Sequence, residues 1–101
     1  MIKHIVFWKL KADLQGADRQ AALLRIKQGF EALPGKIPGL LKIEIGFDYG
    51  QGGDASDLAL YSEFESRAAL AGYETHAEHL ALVPMVRDVR TEKRVVDYAV
   101  D

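Results

Sequence analysis

Three histidines and a nearby tyrosine hold most of the acid–base capacity of this 101-residue chain, which has no cysteine. Wound as a helix from Thr75 onward, His76, His79, Val83 and Val86 fall on one stripe with Leu80 at its border, and His79 lies near the middle. An imidazole on an inward stripe exchanges a proton near neutral pH, because its ordinary pKa is about 6.5. The plain alternative is a buried histidine bonded to a backbone carbonyl or a tyrosine. Tyr73 precedes His79 by six residues across an expected helix break, so the two side chains can converge from adjacent turns. Its own plain alternative is an amphipathic residue at the edge of the core. His4 stands among apolar neighbours near the start of the chain, where a buried partner or water can satisfy it. If a pocket forms there, Trp8 lines it beside His4, Phe30 and Leu60 supply walls, and a flat or apolar ligand is favoured.

Other chemistries are less well supplied. His76 and His79 stand three residues apart with Glu74 and Glu78 nearby. Glu78 and His79 point in different directions on a helix and no third histidine is close, so no metal is expected. Gly50 to Gly53 lacks the spaced glycines and following Lys-Ser/Thr of a phosphate loop and joins two strands, so it reads as a hairpin loop. No Ser-His-Asp order and no cofactor fingerprint occurs, and no cofactor is expected. The absence of cysteine removes disulfides, thiolate metal sites and thiol nucleophiles.

The elements that must position these residues follow from periodicity. Ile2, His4, Val6, Trp8 and Leu10 alternate with Lys3, Ile5, Phe7, Lys9 and Lys11, which predicts a strand with both faces at least partly covered. Asp18 is placed to cap a helix over 18–33, with Ala22, Leu23, Ile26, Phe30 and Leu33 inward and Pro34-Gly35 as the stop. Leu41, Ile43, Ile45, Phe47 and Tyr49 predict a second strand with one dry face, and Leu58 to Glu65 a third. Ser66 opens a short helix through Ala71. Thr75-His76-Ala77-Glu78 has the spacing of a capping box, which predicts a further helix from His76, interrupted at Pro84 and reaching about Asp88. Thr91 to Val100 closes the chain as a less apolar edge strand. The charged run Arg87, Asp88, Arg90, Glu92, Lys93 and Arg94 reads as a solvated surface or a dimer rim.

The order β-α-β-β-α-β is that of a ferredoxin-like α+β fold, one antiparallel four-stranded sheet with helices on one face. The length fits one domain over 1–101 with a single core. The uncovered sheet face calls for a homodimer, sheet against sheet. Hydrophobic residues make up 49% and charged residues 28%, which argues against disorder. A net charge of −2 offers no positive field for nucleic acid or anionic lipid. No segment is long and apolar enough to span a membrane or to serve as a signal-peptide core, so a soluble cytoplasmic protein is expected.

The opening Met1-Ile2-Lys3-His4-Ile5-Val6-Phe7-Trp8-Lys9-Leu10-Lys11 resembles the stress-responsive A/B barrel (Dabb) domains. Phe64-Glu65-Ser66, Tyr73-Glu74-Thr75-His76-Ala77-Glu78-His79 and Val96-Asp97-Tyr98 extend the resemblance over essentially the whole chain. It departs at Ala77, where the family typically has proline. The resemblance implies a dimeric α/β barrel whose cavity, between sheet and helices, takes a small apolar or aromatic metabolite. A polyketide cyclase of the family, which closes a ring by aldol chemistry, implies catalytic roles for Tyr73, His79 and His4. His79 then takes a proton from a carbon beside a carbonyl while Tyr73 donates to the developing enolate oxygen. A further cavity histidine of that cyclase falls at Leu58, so the resemblance implies one polar pocket group fewer here. The expectations are therefore a binding protein or a cofactor-independent lyase or cyclase, with a monooxygenase on a similar barrel as a remoter reading from fold alone.

Overall fold

The computed structural model describes residues 1–101. Strand β1 (Ile2–Leu10) buries Ile2, His4, Val6, Trp8 and Leu10 on one face, as its alternation predicts. Helix α1 (Gly16–Glu31) buries Ala22, Leu23, Ile26 and Phe30 at three- and four-residue spacing. It begins two residues before the predicted cap: Gln15 is the capping residue, without a side-chain bond, and Asp18 lies inside the first turn. There its charge favours the helix dipole rather than closing the first amides.

Strand β2 (Leu40–Phe47) corrects the predicted register. The pairing shifts between Leu40 and Lys42, so Leu40 takes the buried place opposite Phe64, and Leu41 is left 54% exposed. Tyr49 lies past the strand and is 97% exposed. Strand β3 (Leu58–Phe64) buries Leu58, Leu60, Ser62 and Phe64, and the Ser62 hydroxyl donates to the His4 carbonyl at 2.8 Å.

Helix α2 (Arg67–Thr75) is capped by Ser66, whose hydroxyl accepts from the Ala69 amide, and it runs four residues beyond the predicted end at Ala71. Its inward residues Leu70 and Tyr73 are one turn apart, and burying Tyr73 carries the helix through that turn. Thr75 ends α2 rather than capping the next helix. His76 caps α3 (Ala77–Leu80) instead, its ring Nδ1 accepting from the Glu78 amide at 3.1 Å. Helix α4 (Val83–Arg87) follows the break, with Pro84 in its first turn where no amide hydrogen is needed. Strand β4 (Arg90–Ala99) completes the chain.

All strand pairs are antiparallel, in the order β2-β3-β1-β4, with the helices on one face. On the other face Phe7, Val96 and Tyr98 are exposed, and Ile5 lies opposite both Tyr61 and Val96. The two edges of the sheet differ. At β2, Glu31 accepts from the Ile45 amide at 2.9 Å and from Lys27 Nζ at 2.7 Å, while Lys27 also donates to the Ile45 carbonyl at 3.1 Å. One helical turn of α1 thus satisfies both outward backbone groups of the edge residue. The carboxyl of Glu31 is held below the usual carboxylate range, first by the Ile45 amide and then by Lys27.

Gly39 closes the fold at the base of α2. It sits at φ +80°, and an added Cβ there meets the Ala69 Cβ at 2.4 Å. Only glycine combines that conformation with so close an approach. No helix is long and apolar enough to cross a membrane.

Candidate functional site

A cavity of about 340 Å³ opens between the helix side of the sheet and the segment from α2 to α4. Its apolar floor comes from β1 and β3 through Val6, Trp8 and Leu60, with Phe30 entering from α1 and Val83 and Val86 from α4. The Trp8 and Phe30 rings are 5.6 Å apart between centroids. His4, Tyr73 and His79 line the same cavity. Six of the residues singled out from sequence therefore meet in one place. His76 does not, because its ring is occupied in capping α3 and lies off the stripe formed by His79, Val83 and Val86. Leu58 does not reach the cavity either; it is buried in the core opposite Trp8, and Leu60 forms the wall.

His79 is half-buried, and its Nδ1–H donates to the Glu74 carbonyl at 3.2 Å. That bond assigns the hydrogen to Nδ1 and leaves Nε2 with its lone pair. Burial holds His79 below its ordinary 6.5, with the Glu74 carbonyl pulling the other way and the charge of Lys93 adding to the lowering. The ring is therefore neutral at neutral pH and able to accept a proton. Its centroid is 4.2 Å from that of Tyr73, with the planes inclined by 37°.

Tyr73 is 2% exposed, yet its hydroxyl is not among the sealed polar atoms that lack a partner. It lines the cavity with its ring packed next to that of His79. Burial, and then the charge of Glu74, push its pKa well above the tyrosine range, so it stays protonated.

His4 carries a partner that its sequence context did not reveal. Its Nδ1 lies 2.5 Å from Asp97 Oδ1, and the two residues are directly opposite across β1 and β4. A carboxylate on Nδ1 orients the ring within the site. The His4 ring is 6.0 Å from that of Tyr73. The alternation of β4 places Asp97, Val95 and Lys93 on one face, which is the signal that could have found Asp97 once the strand register was known.

The charged run from Arg87 to Arg94 is solvent-accessible and divides between the two faces of the sheet. Glu92 and Arg94 lie on the open face, where Glu92 pairs with Lys9 and Arg94. Arg87, Arg90 and Lys93 line the cavity, together with Glu74.

Two split βαβ units in one antiparallel sheet, with the second helical segment broken to enclose a histidine, define a ferredoxin-like α+β protein. The chain belongs to the stress-responsive A/B barrel domain family, whose sequence profile it matches over residues 2–100. A dimeric protein of unknown function and ferredoxin-like fold from Bacteroides fragilis is 35% identical, over 96% of this chain and 93% of that chain, with a TM-score of 0.88. A dimeric ferredoxin-like protein of unknown function from Thermobifida fusca is 21% identical, over 98% and 90%, with a TM-score of 0.80. The hydroxynitrile lyase of Passiflora edulis is 21% identical, over 99% and 93%, with a TM-score of 0.81. No match was found among curated proteins.

Proposed function

We propose that this protein is a cofactor-independent acid–base catalyst of lyase or cyclase type, whose cavity binds a small, flat, largely apolar metabolite bearing a carbonyl group. The observation that carries the reading is the bond from His79 Nδ1 to the Glu74 carbonyl, which leaves Nε2 unengaged on a ring whose centroid lies 4.2 Å from that of Tyr73. In this reading Nε2 accepts a proton from the carbon next to the carbonyl, and Tyr73 donates to the oxygen on which charge develops. His4, oriented by Asp97, lines the same space. Trp8, Phe30 and Leu60 take the apolar body of the ligand.

The fold is shared with a hydroxynitrile lyase and with proteins of unknown function, and it is the side chains of the cavity that favour proton transfer. A monooxygenase reading draws on fold analogy alone, and no side chain of the cavity favours it over proton transfer. The same proposal includes a homodimer in which a second copy covers Phe7, Val96 and Tyr98 on the open sheet face.

Hydrogen–deuterium exchange at the methyl group of acetophenone, followed by proton NMR in heavy water, tests the chemistry without knowledge of the natural substrate. Exchange is expected to accelerate with the protein, to fall by about 100-fold or more in His79→Ala, and by a comparable factor in Tyr73→Phe. Undiminished exchange in His79→Ala refutes the catalytic role. Binding of acetophenone in the cavity with no exchange identifies a carrier that holds its ligand unchanged.

A further inference from the structure

Arg87, Arg90 and Lys93 reach the cavity from two separate elements, α4 and β4. Arg90 and Lys93 would face opposite sides of an unbroken strand, because side chains alternate. The register between β1 and β4 shifts: Lys9 is opposite Glu92 and Leu10 opposite Arg90, leaving Thr91 without a partner. This bulge turns Arg90 onto the face that carries Lys93. None of the three cations belongs to any of the chain's six ion pairs. Glu74 is the single carboxylate among the residues lining the cavity. The chain as a whole carries a net charge of −2, so this cationic excess runs against its overall balance.

We infer that the ligand of this cavity is an anion, an apolar or aromatic body carrying a carboxylate that Arg87, Arg90 and Lys93 receive at the mouth. The apolar floor and the cationic rim then read two ends of one molecule. Arginine offers a planar fork to a carboxylate and lysine a point charge, so the rim supplies both orientation and attraction. Lys93 and His79 line the same cavity, so the anionic end shares one space with the acid–base pair. The inference rests on the cavity being the ligand site, and it adds the class of ligand.

The test compares 1-naphthoate with its neutral isostere 1-naphthamide, titrated into the full chain and followed through cavity resonances by nitrogen–proton NMR. Naphthoate is expected to bind about ten-fold to about a hundred-fold more tightly, the ratio associated with a hydrogen bond to a charged group. Raising the ionic strength from about 0.02 M to about 0.5 M should shrink that ratio. The double variant Arg90→Gln/Lys93→Gln should bring the two affinities within about three-fold, whereas Glu74→Gln should strengthen naphthoate binding, a gain that misfolding cannot imitate. Equal affinities in the unaltered protein, or a ratio that survives the double variant, overturn the inference and leave the proton-transfer reading standing. A preference for naphthoate alongside undiminished ketone exchange in His79→Ala supports the anion site while removing the catalytic role. Failure of both probes to shift any cavity resonance overturns both.

Discussion

Gly39→Ala probes the contact on which the orientation of α2, and hence of Tyr73, depends. Two separate costs arise. An L-residue at φ +80° is strained by about 1–2 kcal/mol. The new Cβ would also lie 2.4 Å from the Ala69 Cβ, a distance that real carbon pairs do not tolerate, and relieving it moves α2 or the preceding loop. Overpacking of this kind costs about 1–3 kcal/mol, so the single substitution should destabilise by about 2–5 kcal/mol. Ala69→Gly alone places a glycine inside α2 and should cost about 1 kcal/mol. The double variant keeps the strain and the helix penalty but loses the collision, for a total of about 2–3 kcal/mol. Its cost therefore falls short of the sum of the single costs by about 1–3 kcal/mol, the size of the steric term. Urea unfolding monitored by Trp8 fluorescence measures all three, provided the slopes agree so that the midpoints report stability. Strict additivity would refute the claim that Ala69 is what Gly39 must accommodate.

The catalysed ketone exchange should show an acid limb with a midpoint below 6.5, because His79 must be unprotonated and its pKa is depressed by burial and by Lys93; Lys93→Gln should move the limb upward. With the folded value below the unfolded one, the unfolded chain takes up this proton first as pH falls. His79 thus costs no stability above about 6.5 and an increasing amount as pH drops toward its folded value. An NMR titration of His79 with its midpoint at or above 6.5 contradicts both statements. On the open face, the unaltered protein is expected to sediment as a dimer and Val96→Lys as a monomer with little loss of fold, since Val96 is 46% exposed in the single chain. A dimer undisturbed by that change would mean that a different surface mediates association.

Local patterns revealed more of this molecule than nonlocal ones. The alternation of β1 is readable because each residue declares its own face, and Ile2 to Leu10 fall as expected. The convergence of Tyr73 with His79 follows from their separation across a helix break. Asp97 was invisible as a partner of His4 because ninety-three residues separate them and only the β1–β4 register joins them. Single-residue register shifts had the same effect twice. One exchanged Leu40 for Leu41 in the core, and the other brought Arg90 to the cavity. The capping box failed because the burial of Tyr73 extends α2 to Thr75, so His76 stands at the helix start that Thr75 was predicted to hold.

The side chains of Lys27 and Glu31 have a consequence for how this sheet can grow. A foreign strand approaching β2 finds the Ile45 amide and carbonyl already engaged, midway along the edge, and must displace two charged groups to add on. The outer edge of β4 has no neighbouring strand in the sheet. The sheet is thus polar in its capacity for extension, closed at one margin and open at the other. The open margin is the strand that holds Lys93 and Asp97, so any strand added there would lengthen the wall of the cavity itself.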